Sequence, residues 1–324
     1  MPKPVVLVTE PEYRRGEPVF ASTTELTCFA APPAEDALVQ EIGRTGARHL
    51  VVGSVKYGER FYAALPRGAV VARFGVGHDS IDKAKATEAG VLCTNTPHVL
   101  QQSVAELTLT MIGAAARHVV ASATDMRNGE WRLRQGIELE GKTLTLVGCG
   151  EIGRAVARIA SAGYGMRVVG YTRKPPASVP PDPHIPHMTD DLRAAVADAD
   201  FVSLHIPGGA ENQHLFNRER LGWMRERAWL INTARGAVVD EVALFEVLTS
   251  GRLAGAALDV FEREPYQPRE SRDLRSLANV LLIPHIGSHT FEANRRMAER
   301  ALRNIVFAEA RDFSRMDLLN PAVL

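Results

Sequence analysis

With 324 residues, the chain is long enough for two domains, each with its own core. Hydrophobic residues make up 45% and charged residues 23%, proportions of a water-soluble globular protein rather than a disordered or membrane-spanning one. The 38 basic and 38 acidic side chains cancel, which argues against nucleic acid or an anionic membrane as a partner.

Val5–Thr9, apolar and bracketed by Pro4 and Pro11, predicts a first strand. The apolar run in MPKPVVLVTEPEYRR is too short for a signal peptide, and no later segment has the length to span a bilayer, so a cytoplasmic location is expected. Short strands are predicted at 50–52, 70–73 and 91–93, alternating with helices at 34–45 and 81–89. This βα repeat implies a parallel sheet. One long helical stretch, 103–128, comes next, and then a loop around Trp131.

A second βα series starts in mid-chain. Its predicted strands are 143–147, 167–171, 201–204, 229–232, 255–259 and 280–283. Helices lie between most of them, such as Glu241–Thr249 with Gly251 as its stop signal. The proline-rich piece 175–186 reads as an exposed loop, and 291–310 as a helix before the tail. A domain of 99–288 inserted into a domain formed by 1–98 and 289–324 suits this order better than two domains in tandem. The predicted class is α/β, with two Rossmann-like or flavodoxin-like domains, parallel sheets and a cleft between the lobes.

The second series opens on TLTLVGCGEIGRAVARIA (143–160). A short buried strand runs into Gly148, Gly150 and Gly153 in G-x-G-x-x-G spacing, and Ile152, Val156 and Ile159 then recur at helical intervals. Strand, glycine turn and helix in that order form a phosphate cradle. Gly148 allows the tight turn, Gly150 leaves room for a pyrophosphate, and Gly153 lets the helix lie close to the sheet. The helix's free N–H groups and positive dipole end face the anion. In NAD sites an acidic residue about 20 residues further on meets the ribose 2′-OH. Here the strand 167–171 ends in Thr172, Arg173 and Lys174. A carboxylate would repel a 2′-phosphate, whereas an arginine binds one through a charge-assisted fork. NADP(H) is therefore the favoured cofactor, with NAD(H) the alternative.

Three residues past later strands carry chemistry: Arg235 in INTARGAVVD, Glu264 in ALDVFEREP and His285 in LLIPHIGSHT. Strand C-termini are where open α/β sheets bind ligands. Singly, each has a plainer explanation, as a helix cap, a solvated loop charge and a satisfied core histidine. Behind a dinucleotide cradle, the three suffice to reduce a 2-keto acid. Arg235 would hold the carboxylate and polarise the carbonyl, His285 would protonate the carbonyl oxygen as hydride arrives, and Glu264 would orient the imidazole.

Over nearly its whole length the chain resembles the D-isomer-specific 2-hydroxyacid dehydrogenases, especially the glyoxylate and hydroxypyruvate reductases. GVGHDSID (75–82), NTPHVLQQSVAELTLTMI (95–112), the glycine fingerprint, LHIP (204–207), INTARG, ALDVFEREP and PHIGSHT carry the likeness. The resemblance implies Arg235, Glu264 and His285 as the catalytic set. It implies substrate contacts at Val52, Gly53, Ser54, Val76 and Gly77 besides Arg235 and His285. For the cofactor it implies the turn (Gly148, Gly150, Glu151, Ile152, Gly153), Thr172, Arg173 and Lys174, then His205, Pro207 and Asn212. Thr108, Thr233, Ala234, Asp259 and Gly287 complete that set, Asp259 at the nicotinamide amide. It further implies a homodimer formed through the segment after Ser103, and a small 2-keto or 2-hydroxy acid as substrate. Thr172 stands where many members have Asp, Asn212 where Thr is common, and the Gly208-Gly209 pair is unusual for the family.

Rival readings are an NAD-linked dehydrogenase acting oxidatively on a phosphoglycerate or D-lactate, and a cofactor-sensing binding protein on the same scaffold. Cys28, Cys93 and Cys149 form no C-x-x-C pair, and His184-x-x-His187 lies in a proline-rich loop without an acidic or cysteine pattern, so no metal site is expected.

Overall fold

The computed structural model describes residues 3–269 and 271–324. The chain forms two compact units, Met1–Leu100 with Ser288–Leu324, and Gln101–Gly287. Both are layered α/β structures built on parallel strands.

The first unit has the strands β1 (Val5–Thr9), β2 (Thr27–Ala31), β3 (His49–Val52), β4 (Val70–Arg73) and β5 (Leu92–Thr94). Their order is β2-β1-β3-β4-β5, all parallel. The helices α1 (Glu10–Ser22), α2 (Glu35–Thr45), α3 (Glu59–Ala63) and α4 (Lys83–Glu88) alternate with them. The C-terminal helix, Phe291–Glu309, returns to pack against α1 and β4. Every residue of β3 is buried, as expected of a central strand covered by helices on both faces. His49 opens β3 as a core histidine. Its Nδ1 accepts the Val70 amide at 3.0 Å and its Nε2 lies 3.1 Å from Glu309.

The second unit begins with α5 (Gln101–Ala116) and α6 (Val119–Arg127). Its strands are β6 (Thr143–Val147), β7 (Arg167–Tyr171), β8 (His187–Thr189), β9 (Phe201–Leu204), β10 (Trp229–Asn232), β11 (Gly255–Leu258) and β12 (Val280–Leu282). They lie parallel in the order β12-β11-β10-β9-β6-β7-β8. Numbered within the unit, this is the doubly wound dinucleotide-binding order with one strand added, and β6 stands at the point where the order reverses. The helices α7 (Glu151–Tyr164), α8 (Leu192–Ala197), α9 (Arg218–Trp223) and α10 (Glu241–Thr249) complete the layers.

Some elements differ from the sequence reading. The stretch 103–128 is not one helix: α5 and α6 meet at a bend of 64°, with His118 in the left-handed region at φ 52°. The Ile137 amide takes the Ala116 carbonyl at 2.9 Å, so the returning chain satisfies the end of α5. The piece 175–186 is only partly exposed, since Ile185 is buried and Asp182 pairs with Arg154 at 2.9 Å. The strand read at 91–93 is displaced by one residue to Leu92–Thr94. No single helix among the described residues is long and apolar enough to cross a membrane.

Candidate active site

β6 runs straight into the glycine turn. Gly148 has φ 104°, and a side chain there would strike the His205 backbone. A Cβ on Gly153 would overlap the Gly148 carbonyl, so α7 can lie this close to the turn only with glycine at that position. Gly150 is different: nothing lies within 4 Å of where its Cβ would be. No side chain caps the first turn of α7. Open space thus faces a helix N-terminus whose donors need an acceptor, which suits a pyrophosphate. Ile152 packs into the core, and Glu151 is exposed. Arg154 ties the turn down, donating to the Cys149 carbonyl at 3.2 Å and pairing with Asp182. Burial pushes the Cys149 thiol up to about 11, so it remains a thiol.

At the end of β7 the Thr172 hydroxyl accepts the Lys174 amide at 3.2 Å. Arg173 and Lys174 are exposed, with side chains in no hydrogen bond or ion pair among the described residues. Beyond β9, burial pushes the His205 imidazole down to about 3, so it stays neutral, and it shares a 2.9 Å hydrogen bond with Ser203. The buried Asn212 side chain donates to the Pro207 carbonyl at 2.9 Å. Its amide nitrogen therefore serves to shape the loop.

β10, β11 and β12 are neighbours, and the candidate chemical residues follow their C-terminal ends. Asn232 closes β10, accepting the Ala234 amide at 3.0 Å and donating to the Arg235 carbonyl at 2.9 Å. This folds the turn that carries Thr233, Ala234 and Arg235. Thr233 shares a 3.0 Å hydroxyl contact with Thr108 of α5. Asp259, just past β11, accepts the Ile286 amide at 2.7 Å and the Gly287 amide at 2.8 Å. Burial, partly opposed by those amides and by His285, holds the Asp259 carboxyl above its ordinary range. This buried carboxylate shapes the loop in which His285 sits at φ 52°.

His285 Nδ1 and Glu264 Oε2 are 2.7 Å apart, and Glu264 Oε1 accepts the Phe261 amide at 3.0 Å. Burial alone would raise the Glu264 carboxyl. The hydrogen bond and charge of His285, the Phe261 amide and the charge of Arg235 outweigh it, so the group lies below its usual range. With Nδ1 engaged, Nε2 is the ring nitrogen left for proton transfer. The Arg235 and Glu264 loops also touch, because the Gly236 backbone lies against Phe261 so closely that a Cβ would overlap the Phe261 carbonyl. Sequence reasoning singled out Arg235, Glu264 and His285 but not Asn232 and Gly236. Their flanking positions in INTARG are the only sequence signal for them.

In the first unit, Val52 ends β3 and Gly53 and Ser54 follow it, while Val76 and Gly77 follow β4, the adjacent strand. The backbone amides of Gly53, Ser54, Val76 and Gly77 have no partner among the described residues. A side chain on Gly53 would collide with the buried carboxylate of Glu12. Elsewhere, a surface cavity of about 750 Å³ lies by the opposite ends of β6 and β7, lined by Thr143, Arg167 and His184 among others, and touches none of the residues above. No group of three His, Cys, Asp or Glu among the described residues is placed to hold a metal ion.

Residues 109–287 match the family model described as "D-isomer specific 2-hydroxyacid dehydrogenase, NAD binding domain". The chain is 37% identical over 317 residues to the glyoxylate reductase of Thermococcus litoralis, covering 94% of this chain and 93% of the relative. It is 41% identical over 238 residues to the hydroxypyruvate reductase of Thermotoga maritima, covering 73% and 76% respectively. Among solved structures, it is similar to an NADPH-dependent glyoxylate/hydroxypyruvate reductase from Sinorhizobium meliloti in complex with NADP and malonate. That match has a TM-score of 0.79 at 27% identity, covering 94% of this chain and 93% of that one.

Proposed function

The chain belongs to the D-isomer-specific 2-hydroxyacid dehydrogenases, and within that family we propose a reductase of small 2-keto acids, of the glyoxylate and hydroxypyruvate class, that prefers NADPH and yields the D-hydroxy acid. The observation that carries this reading is the 2.7 Å Glu264–His285 pair at the strand ends that also carry Arg235. The glycine turn and the first turn of α7 would hold the pyrophosphate of the nicotinamide cofactor, which supplies hydride when bound. Arg235 binds the keto acid's carboxylate and draws electron density from the adjacent carbonyl. His285 Nε2 gives its proton to the carbonyl oxygen, and Glu264 stabilises the imidazolium that precedes the transfer. The unpartnered amides at 53–54 and 76–77 of the first unit are suited to an anion.

Support for NADPH comes from the end of β7, where two exposed cations stand and Thr172 replaces an acid. A homodimer formed through the segment that follows Ser103 belongs to the same reading. NADPH oxidation at 340 nm, run against glyoxylate, hydroxypyruvate and pyruvate, tests the activity. Turnover is expected with the first two, with kcat/KM for NADPH above that for NADH. Arg173→Ala should lose most of that preference, because a charge-assisted contact to a phosphate contributes about 1.5–3 kcal/mol. No turnover with any acid would remove the reductase reading, and equal use of both cofactors would remove the NADPH assignment.

A further inference from the structure

We propose that Glu262 is a positioning residue for the acid–base pair: a reciprocal hydrogen-bond exchange with Glu241 fixes the segment that presents Glu264 to His285. This rests on the reading of Glu264 and His285 given above.

After β11 the chain has no ladder to hold it. Neither Phe261 nor Glu262 donates its amide to a backbone carbonyl. Carboxylates take their place. The Glu262 amide donates to Glu241 Oε1 at 2.7 Å, and the Glu241 amide donates back to Glu262 Oε1 at 3.0 Å. Glu241 is the first residue of α10, so its amide is one of the donors that a helix leaves unsatisfied at its start. The ring therefore fastens the loop to the beginning of a helix.

Both acids lie in the interior: the Glu262 side chain is 3% exposed and Glu241 is 6% exposed. Two carboxylates placed side by side away from water are unfavourable unless countercharges meet them. Arg269 Nη2, a countercharge, lies 2.5 Å from Glu262 Oε2. A neutral side chain could tether a loop with less desolvation. What the ionic arrangement adds is direction, since each oxygen of Glu262 has a fixed partner. With Gly236 pressed on Phe261 from the Arg235 loop, the segment is gripped at two successive residues just before Glu264. A carboxylate that must meet an imidazole at 2.7 Å tolerates little slack.

Glu262→Leu is expected to lower kcat for glyoxylate roughly 10- to 100-fold, the scale of an ångström-sized misplacement, while the NADPH Kd from fluorescence titration stays within about twofold. The alkaline limb of its pH–kcat/KM profile should move to lower pH, as in Glu264→Gln. Glu262→Gln keeps an acceptor for the Glu241 amide and should recover most of the activity. The deciding comparison is the double variant Glu262→Leu/Glu264→Gln, which should be no slower than Glu264→Gln alone. Additive losses overturn the proposal, as does a wild-type profile in Glu262→Leu, or a Gln variant as slow as the Leu one. If Glu262→Leu does not fold, Glu241→Ala opens the ring from the other side and is read by the same criteria. A wild-type chain inactive on every keto acid would fail the functional reading instead. The crystal structure of Glu262→Leu then decides the geometry: a lengthened Glu264–His285 contact supports the proposal, and an unchanged one overturns it.

Discussion

Glu264 and His285 have separable duties, and pH separates them. Despite burial, the partners of the Glu264 carboxyl keep its folded-state value below normal. The sign follows from linkage: the stabilisation is fully present above the unfolded carboxyl's range, near pH 4.3, and is lost as pH falls through the lowered folded value. Glu264 is thus an anion throughout neutral pH, which under the proposed function leaves His285 to supply the proton for the carbonyl. Replacing His285 with Ala should cost roughly 10²- to 10⁴-fold in kcat, the usual worth of a positioned proton donor, with NADPH binding retained. Glu264→Gln removes the charge but not the shape, and a charge-assisted hydrogen bond of about 1.5–3 kcal/mol predicts a loss of roughly 10- to 100-fold. Without that anion, the alkaline limb of kcat/KM should move to lower pH. A His285→Ala enzyme turning over at close to the wild-type rate would end the acid assignment.

The β6–turn–α7 unit separates two uses of glycine within six residues. Gly148 and Gly153 serve the fold, since a Cβ on either meets backbone, whereas Gly150 borders open space. Gly153→Ala should therefore lower stability by about 1–3 kcal/mol, as overpacking does. Gly150→Ala, at φ −76° and ψ −164°, adds no clash and should leave Tm unchanged or slightly raised. Its added methyl should weaken NADPH binding, visible as a higher Kd in titration. A fall in Tm for Gly150→Ala, with unaltered NADPH affinity, would contradict the cradle. The same turn shows what a sequence makes legible. The central strands and α7 were readable because buried strands are continuous apolar runs and a surface helix keeps its 3.6-residue period. β2 and β8 were not, being edge strands: β2 is only partly buried, with Phe29 half exposed, and β8 has three residues. The break between α5 and α6 has no Gly or Pro to mark it, because the Ile137 amide that completes α5 comes from 21 residues downstream. The Glu241–Glu262 ring was equally hidden, since a glutamate in a helix's first turn reads as a solvated charge.

Once each unit of the protein has its core, some apolar surface is left over. Exposed apolar side chains concentrate in one stretch, from Val119 to Ile137, where Trp131 is 80% and Leu133 91% exposed. Scattered single exposures are ordinary, but a group in one segment marks a binding face. The segment also has a set shape: Arg134 grips Asp125 with two hydrogen bonds, at 2.8 and 3.2 Å, and Arg132 pairs with Glu130 at 2.9 Å. A loop ordered before association loses less entropy on docking. With no net charge to hold copies apart, a second copy of the chain is the occupant this reading assigns. Light scattering at micromolar concentration should therefore give about twice the 35.3 kDa of one chain. Trp131→Asp combined with Leu133→Asp should shift it toward one chain, because burying two unpaired carboxylates in an apolar contact is unfavourable by several kcal/mol. Helical content by circular dichroism should be unchanged, as neither side chain belongs to a core. A wild-type protein that runs as a monomer, or a double variant that stays dimeric, would move the interface elsewhere.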